Sequence, residues 1–315
     1  MQAVGIPVLK LSDFYNSARK EQFVNELGKA YREIGFVAID DHNISKAEIE
    51  RLYQAVQAFF SLDEKVKSKY EIENGGGQRG YTSFGKEHAK NKSEGDLKEF
   101  YHFGQEINPD HEDYGKYPAN VLCEEIPAFN KECLAIYRQL EKLGASLLKA
   151  IALYLGLEED YFDKYIFHGN SILRPIHYPP ITSAPKGALR AAEHEDINLI
   201  TLLIGSSADG LQVLNKAGVW IDVKSKNEMI VVNVGDMLQR LTNGLLSSTT
   251  HRVVNPTQEK WDQPRYSIPF FLHPRPEMPL NCLHNCIDDE NPKQWPDILA
   301  GDYLIQRLKE IGLLK

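Results

Sequence analysis

His194-Glu195-Asp196-Ile197-Asn198-Leu199-Ile200-Thr201-Leu202-Leu203-Ile204 sets a histidine and a carboxylate two residues apart, ahead of an apolar, β-branched run. The run predicts a strand. Side chains alternate along a strand, so positions 194 and 196 are expected on one face, where an imidazole and a carboxylate can grip one ion. Glu193 and Glu195 fall off that face. The pair then sits at the mouth of a rigid element, which is where a site is best held. His-x-Asp alone says little in a chain with ten histidines, and His111-Glu112-Asp113 repeats it. That copy lies in Asn108-Pro-Asp-His-Glu-Asp-Tyr-Gly115, a turn-rich stretch with no strand behind it, and a solvated loop is expected there.

Working outward, Gly218–Val223, Met229–Val234, His251–Val254 and Arg265–Leu272 are further short strand-like runs, separated by Gly, Asn, Asp and Pro. Such spacing predicts a barrel or jelly roll, not a doubly wound sheet. His251 opens one of these runs after Thr242-Asn-Gly244. Two histidines and one carboxylate on adjoining strands make a facial triad with open positions, suited to iron(II) that must also bind a co-substrate and O₂. Taken alone, His251 reads first as a half-buried strand histidine with a satisfied hydrogen bond. Arg265-Tyr-Ser267 follows, with Arg265 and Ser267 expected on one face. The guanidinium fork grips a carboxylate and the hydroxyl adds a donor. A dicarboxylate chelating the metal at one end can meet Arg265 at the other.

The first half predicts helices around this core. Ile6–Leu11 and Phe36–Ile39 read as strands. Between them a helix carries Phe23, Leu27, Tyr31 and Ile34 on one face and stops at Gly35. Ser45 and Glu48 form a capping box for a helix bearing Ile49, Leu52, Val56 and Phe59. Residues 71–96 are polar and Gly-rich, a loop long enough to serve as a lid. A long helix is expected over Ala128–Leu155, striped by Leu140, Leu143, Leu147 and Ile151 and ended by Gly156.

Composition narrows the function. The 315 residues are 42 % hydrophobic and 25 % charged, with net charge −8. That supplies a core and argues against sequence-independent nucleic-acid binding. No secretory signal and no run of apolar residues long enough to span a membrane is read. Four cysteines are sparse for this length and fit a reducing cytoplasm. Cys282-Leu-His284-Asn-Cys286 lacks the second ligand pair of a zinc finger.

With these residues in place, the chain resembles the iron(II)/2-oxoglutarate-dependent dioxygenases of the isopenicillin N synthase-like family. The resemblance runs almost end to end. Ile6–Leu11, Gly35–Ile39, Phe59-Phe-Ser-Leu-Asp-Glu-Lys65, Gly80-Tyr-Thr-Ser-Phe-Gly85 and Asp96–Phe100 have counterparts, as do His194–Leu203, Gly210–Val213, Trp220, Asn233–Gln239, Thr242–Gly244, His251–Asn255 and Arg265–Ser267. The resemblance implies a mainly β fold with flanking helices around a double-stranded β-helix (jelly-roll) core. It implies iron held by His194, Asp196 and His251, and a 2-oxoglutarate carboxylate held by Arg265 and Ser267. Tyr178, just before Pro179-Pro180, matches a tyrosine that often helps bind that carboxylate. Ascorbate is a candidate reductant.

The expected layout is one oxygenase unit over 1–315. It has an N-terminal α/β wrapping region (1–120), a support helix (121–160), the jelly-roll core with the iron site (165–280) and a C-terminal helical segment (281–315). The expected activity is hydroxylation, desaturation or cyclisation of a small organic molecule. There are two departures. Ile176 stands where many relatives carry Asn, and the loop between His251 and Arg265 is longer than usual. Three other readings stay open at this point: an isopenicillin-N-synthase-like oxidase needing no 2-oxoglutarate, a zinc hydrolase with a His₂-carboxylate site, and a non-catalytic jelly-roll binding protein. The substrate walls are unread; Tyr81, Phe84, Phe100, Tyr101 and Phe103 are candidates, though such aromatics are more often plain core.

Overall fold

Alternation along three strands sets the architecture. On the strand Arg265–Leu272, Ile268, Phe270 and Leu272 join a large apolar cluster, whereas Arg265, Ser267, Pro269 and Phe271 line a cavity on the opposite face. Ile200, Leu202 and Ile204 divide from Thr201 and Leu203 in the same way, and Ile230, Val232 and Val234 from Val231 and Asn233. One sheet therefore has an oily face for helices and a mixed face for a site. The computed structural model describes residues 6–310 and 314, apart from 74–76, 88–95, 184–186, 206–208 and 224–228.

In chain order the elements begin with β1 (Val8–Lys10), α1 (Leu11–Tyr15), α2 (Lys20–Glu33), β2 (Phe36–Asp40), α3 (Lys46–Phe60), α4 (Glu64–Lys67), β3 (Gly80–Thr82), β4 (Glu99–Gly104), α5 (Pro127–Tyr154) and α6 (Asp163–Ile166). The strand-rich half follows: β5 (Ile172–Leu173), β6 (Ile176–Tyr178), β7 (Ala191–His194), β8 (Ile200–Ile204), β9 (Leu211–Leu214), β10 (Trp220–Asp222), β11 (Ile230–Val234), α7 (Asp236–Leu241), β12 (His251–Val253), β13 (Arg265–Leu272) and α8 (Ala300–Glu310). The larger sheet runs β1-β2-β11-β8-β13-β5-β4-β3, with β6 beside β13 and β4; the smaller runs β10-β9-β12-β7. Phe36, Val213 and Val231 form one small apolar cluster shared by the two sheets, and Phe100, Ile176, Tyr178, Ala191 and Val253 form another.

Local signals explain the helices. The capping box forms as expected: Ser45 Oγ accepts from Glu48 N–H at 3.3 Å while Glu48 Oε2 accepts from Ser45 N–H at 2.9 Å. α2 stops where Gly35 adopts φ +76°, a conformation costly to any other residue, and a Cβ there would collide with the Ser247 carbonyl at 2.4 Å. The stripe Leu140, Leu143, Leu147 and Ile151 on α5 is buried against the sheet. Each such side chain contributes about 2 kcal/mol of burial. Gly144 permits the close approach, since a Cβ there would meet Leu272 Cδ1 at 2.3 Å.

Two expectations shift. The strand expected from Ile197 begins only at Ile200, because residues 195–199 turn the chain from the small sheet to the large one. Part of the expected lid, 74–76 and 88–95, lies outside the described residues; the remainder contributes β3. Tyr81, Phe100, Tyr101 and Phe103 are buried in apolar clusters, whereas Phe84 is 50 % exposed. No helix among the described residues is long and apolar enough to cross a membrane.

Candidate active site

β7 and β12 pair antiparallel with His194 opposite His251, so strand register makes the two imidazoles neighbours. Their ring centroids are 4.4 Å apart. Asp196 reaches them from the turn after β7, not from the same strand face as the sequence suggested. Its Oδ1 lies 3.8 Å from His194 Nε2 and 3.7 Å from His251 Nε2.

Hydrogen bonds aim these atoms. His194 Nδ1 donates to the Ala192 carbonyl at 2.7 Å, and His251 Nδ1 to that of Thr249 at 3.1 Å. A carbonyl can only accept, so each neutral ring carries its proton on Nδ1 and turns the Nε2 lone pair toward Asp196. Asp196 Oδ2 is occupied in turn, accepting from Thr201 Oγ1 at 2.6 Å and Asn233 Nδ2 at 2.8 Å. Asn198 Nδ2 donates to Thr201 Oγ1 at 2.8 Å, which fixes the hydroxyl's direction. Two lone pairs and one carboxylate oxygen remain, gathered at one point. Burial, then the charge of His251, pushes His194 down to about 4. Burial resists ionising Asp196, but the two imidazoles and the Asn233 and Thr201 bonds outweigh it and hold the carboxyl below its usual range. The donor set suits a divalent transition metal and leaves one side open.

On β13, Arg265 is 1 % exposed, with its guanidinium 5.0 Å from the Tyr178 ring centre. The register sets Arg265 opposite Tyr178 and Ser267 opposite Ile176. All six residues expected from the sequence, His194, Asp196, His251, Arg265, Ser267 and Tyr178, line one cavity. Ile176 lines it too, so the position where relatives carry Asn is apolar wall here. A second cavity adjoins the triad and shares Lys98, Arg174, His194, Asp196 and Phe271 with the first.

Sequence reading missed Lys98, Glu87 and Arg174, which are paired with one another on the cavity wall; the expected C-terminal helical segment contains α8, whose Leu304, Arg307 and Leu308, not singled out from the sequence, close the second cavity. The turn-rich loop expected at His111-Glu-Asp113 is present, but Asp113 within it is not solvated. Asp113 is 1 % exposed and meets Lys116 Nζ at 2.5 Å, His168 Nδ1 at 3.0 Å and Arg275 Nη2 at 3.0 Å. His168 and Arg275 lie far along the chain, so the local turn-rich composition gave no sign of them.

Residues 6–125 match the family described as non-haem dioxygenase in morphine synthesis, N-terminal, and residues 169–274 match the 2OG-Fe(II) oxygenase superfamily. A 2-oxoglutarate-Fe(II) type oxidoreductase of Emericella nidulans, hxnY, is 31 % identical over 94 % of this chain and 87 % of that one. This chain belongs to the 2OG-Fe(II) oxygenase superfamily. A crystal structure of a 2OG-Fe(II) oxygenase family protein from Caulobacter crescentus superposes on this oxygenase with TM-score 0.87 at 42 % identity, covering 97 % of this chain and 99 % of that one. The crystal structure of a full-length Neurospora crassa protein in complex with alpha-KG and thymine superposes with TM-score 0.85 at 28 % identity, covering 98 % and 97 %. The two packed sheets are thus the double-stranded β-helix of these oxygenases. The enzyme is an Fe(II)/2-oxoglutarate-dependent dioxygenase of the isopenicillin N synthase-like family, coupling oxidative decarboxylation of 2-oxoglutarate to oxidation of a small organic molecule.

Proposed function

We propose that His194 Nε2, His251 Nε2 and Asp196 Oδ1 hold the iron, and that Arg265 and Ser267 anchor the far carboxylate of 2-oxoglutarate. The observation that carries this is the pattern of committed atoms. Each Nδ1 and Asp196 Oδ2 already has a neutral partner, and only the three converging atoms are left over. Iron with 2-oxoglutarate supplies O₂ activation, releasing succinate and CO₂. The chain's own task is orientation. Tyr178 presents its ring to the Arg265 guanidinium. Phe36 packs edge-on against the His251 ring at 5.6 Å. Leu203, Leu211 and Val253 keep the anchoring cavity apolar, which strengthens the carboxylate–guanidinium contact. The substrate occupies the adjoining cavity. Four free cysteines, all buried, agree with a cytoplasmic setting, and the acidic net charge agrees with a small molecule rather than nucleic acid as partner.

Iron content after anaerobic loading tests the reading. Wild type should retain one iron per chain and the His194→Ala and His251→Ala variants none. Asn233→Ala, which strips one donor from Asp196, should weaken iron about 10–100-fold. Full iron content in either histidine variant would refute the assignment.

A further inference from the structure

The second cavity is walled by a chain of ion pairs that the chemistry at the iron does not require. Lys98 Nζ meets Asp96 Oδ2 at 2.8 Å and Glu87 Oε1 at 2.7 Å. Arg174 Nη1 meets the same Glu87 oxygen at 3.2 Å, and its Nε donates to His102 Nε2 at 2.5 Å. The Arg174 guanidinium lies 4.4 Å from the Phe100 ring centre and 5.0 Å from that of Phe271, so its plane is fixed. Glu87, Lys98 and Asp96 are each more than nine-tenths buried. Both cations on Glu87 use Oε1. Among the described residues, Oε2 is buried with no hydrogen-bond partner, as is His273 Nδ1 on the same cavity wall. A buried carboxylate oxygen without a partner is costly unless something else satisfies it.

Resting on the function proposed above, we infer that this cavity takes a small uncharged molecule bearing an N–H or O–H donor, and that Glu87 Oε2 accepts that donor and orients the substrate. The charges count against the alternatives. Each lysine and arginine on the wall, among the described residues, already has a carboxylate: Lys98 and Arg174 share Glu87, and Arg307 Nε lies 3.1 Å from Asp236. An anionic substrate would find no spare cation there and would meet the unpartnered oxygen. An ammonium would sit beside Lys98 and Arg174, which already offset the charge of Glu87, while Glu193 on the same wall is paired with Arg252 at 3.3 Å. A neutral donor meets the oxygen without disturbing a pair. His273, pushed down to about 4 by burial and by Arg174, is uncharged at neutral pH and adds a donor and an acceptor but no charge.

Three probes on one skeleton test this: benzamide, benzoate and benzylamine, each titrated anaerobically into the enzyme loaded with iron(II) and 2-oxoglutarate. The readout is a shift of the visible charge-transfer band. Benzamide alone should shift it, and Glu87→Gln should weaken that effect by about tenfold or more. A band that never forms contradicts the iron and 2-oxoglutarate assignment itself. A band that forms but responds to benzoate or benzylamine, or does not respond to benzamide up to its solubility, overturns the substrate class alone. Unchanged benzamide affinity in Glu87→Gln removes Glu87 from the account, and the wild-type series stands as a test even where the variant folds poorly.

Discussion

The tripeptide His-Glu-Asp occurs twice, at 194–196 and at 111–113, and each copy gains a second histidine from elsewhere, His251 in one case and His168 in the other. In both, one atom from each of the three residues lies within 4.8 Å of the others. What differs is the company of the carboxylate. Asp196 is held by a hydroxyl and an amide, neutral donors that fix one oxygen and leave its charge for an ion. Asp113 is held by Lys116 and Arg275, which have already neutralised it. The histidines differ likewise. His194 and His251 give their Nδ1 protons to carbonyls and free Nε2, whereas His111 Nδ1 accepts the Asp113 N–H and His168 Nδ1 points at the Asp113 carboxylate itself. Identical tripeptides thus make a candidate metal seat and an ion-pair hub, depending on whether neutral or cationic groups surround them.

The largest expected effect follows directly. Asp196→Ala should reduce succinate formation by roughly a thousandfold or more, as loss of a metal ligand removes the reaction's activating group. Asp113→Ala should keep turnover of the folded fraction within about threefold of wild type and lower thermal stability instead. Equal losses of turnover per folded enzyme would erase the distinction.

Acid sharpens it further, with a smaller effect. In the metal-free chain, His273 is pushed down to about 4 by burial. Below its ordinary value of about 6.5 the unfolded chain takes a proton that the folded chain refuses, so stability falls as pH drops from about 6.5 to 4. The slope is up to roughly 1 kcal/mol per pH unit. Lys116, then His168, holds Asp113 well below the usual carboxylate range, so its contribution is present above about 4 and is lost only as pH falls further. Urea midpoints should show His273→Gln reducing the slope over the upper interval, which His194 shares, and Asp113→Asn reducing it over the lower one. Interchanged intervals would contradict the burial and pairing described here.

Much of this was legible in the sequence because it depends on short-range periodicity. The alternation of β13 placed Arg265 and Ser267 together, the Ser45–Glu48 spacing capped α3, and the stripe on α5 marked its buried face. The three candidate iron ligands were legible too, though for an incomplete reason: Asp196 meets His194 across a turn, and it is the β7–β12 register that brings His251 alongside. What stayed illegible depends on partners distant in sequence. Glu87, Lys98 and Arg174 look like solvated charges until the fold sets them against one another. Asp113 looks like loop until Arg275, 162 residues away, closes over it.

The most direct test of the central claim is the visible charge-transfer band formed when iron(II) and 2-oxoglutarate are added to the anaerobic apoprotein. The band should form in wild type, vanish in His251→Ala, and in Arg265→Ala require at least about tenfold more 2-oxoglutarate. A band that survives loss of His251, or whose 2-oxoglutarate dependence ignores Arg265, would contradict the assignment of this cavity as the seat of iron and co-substrate.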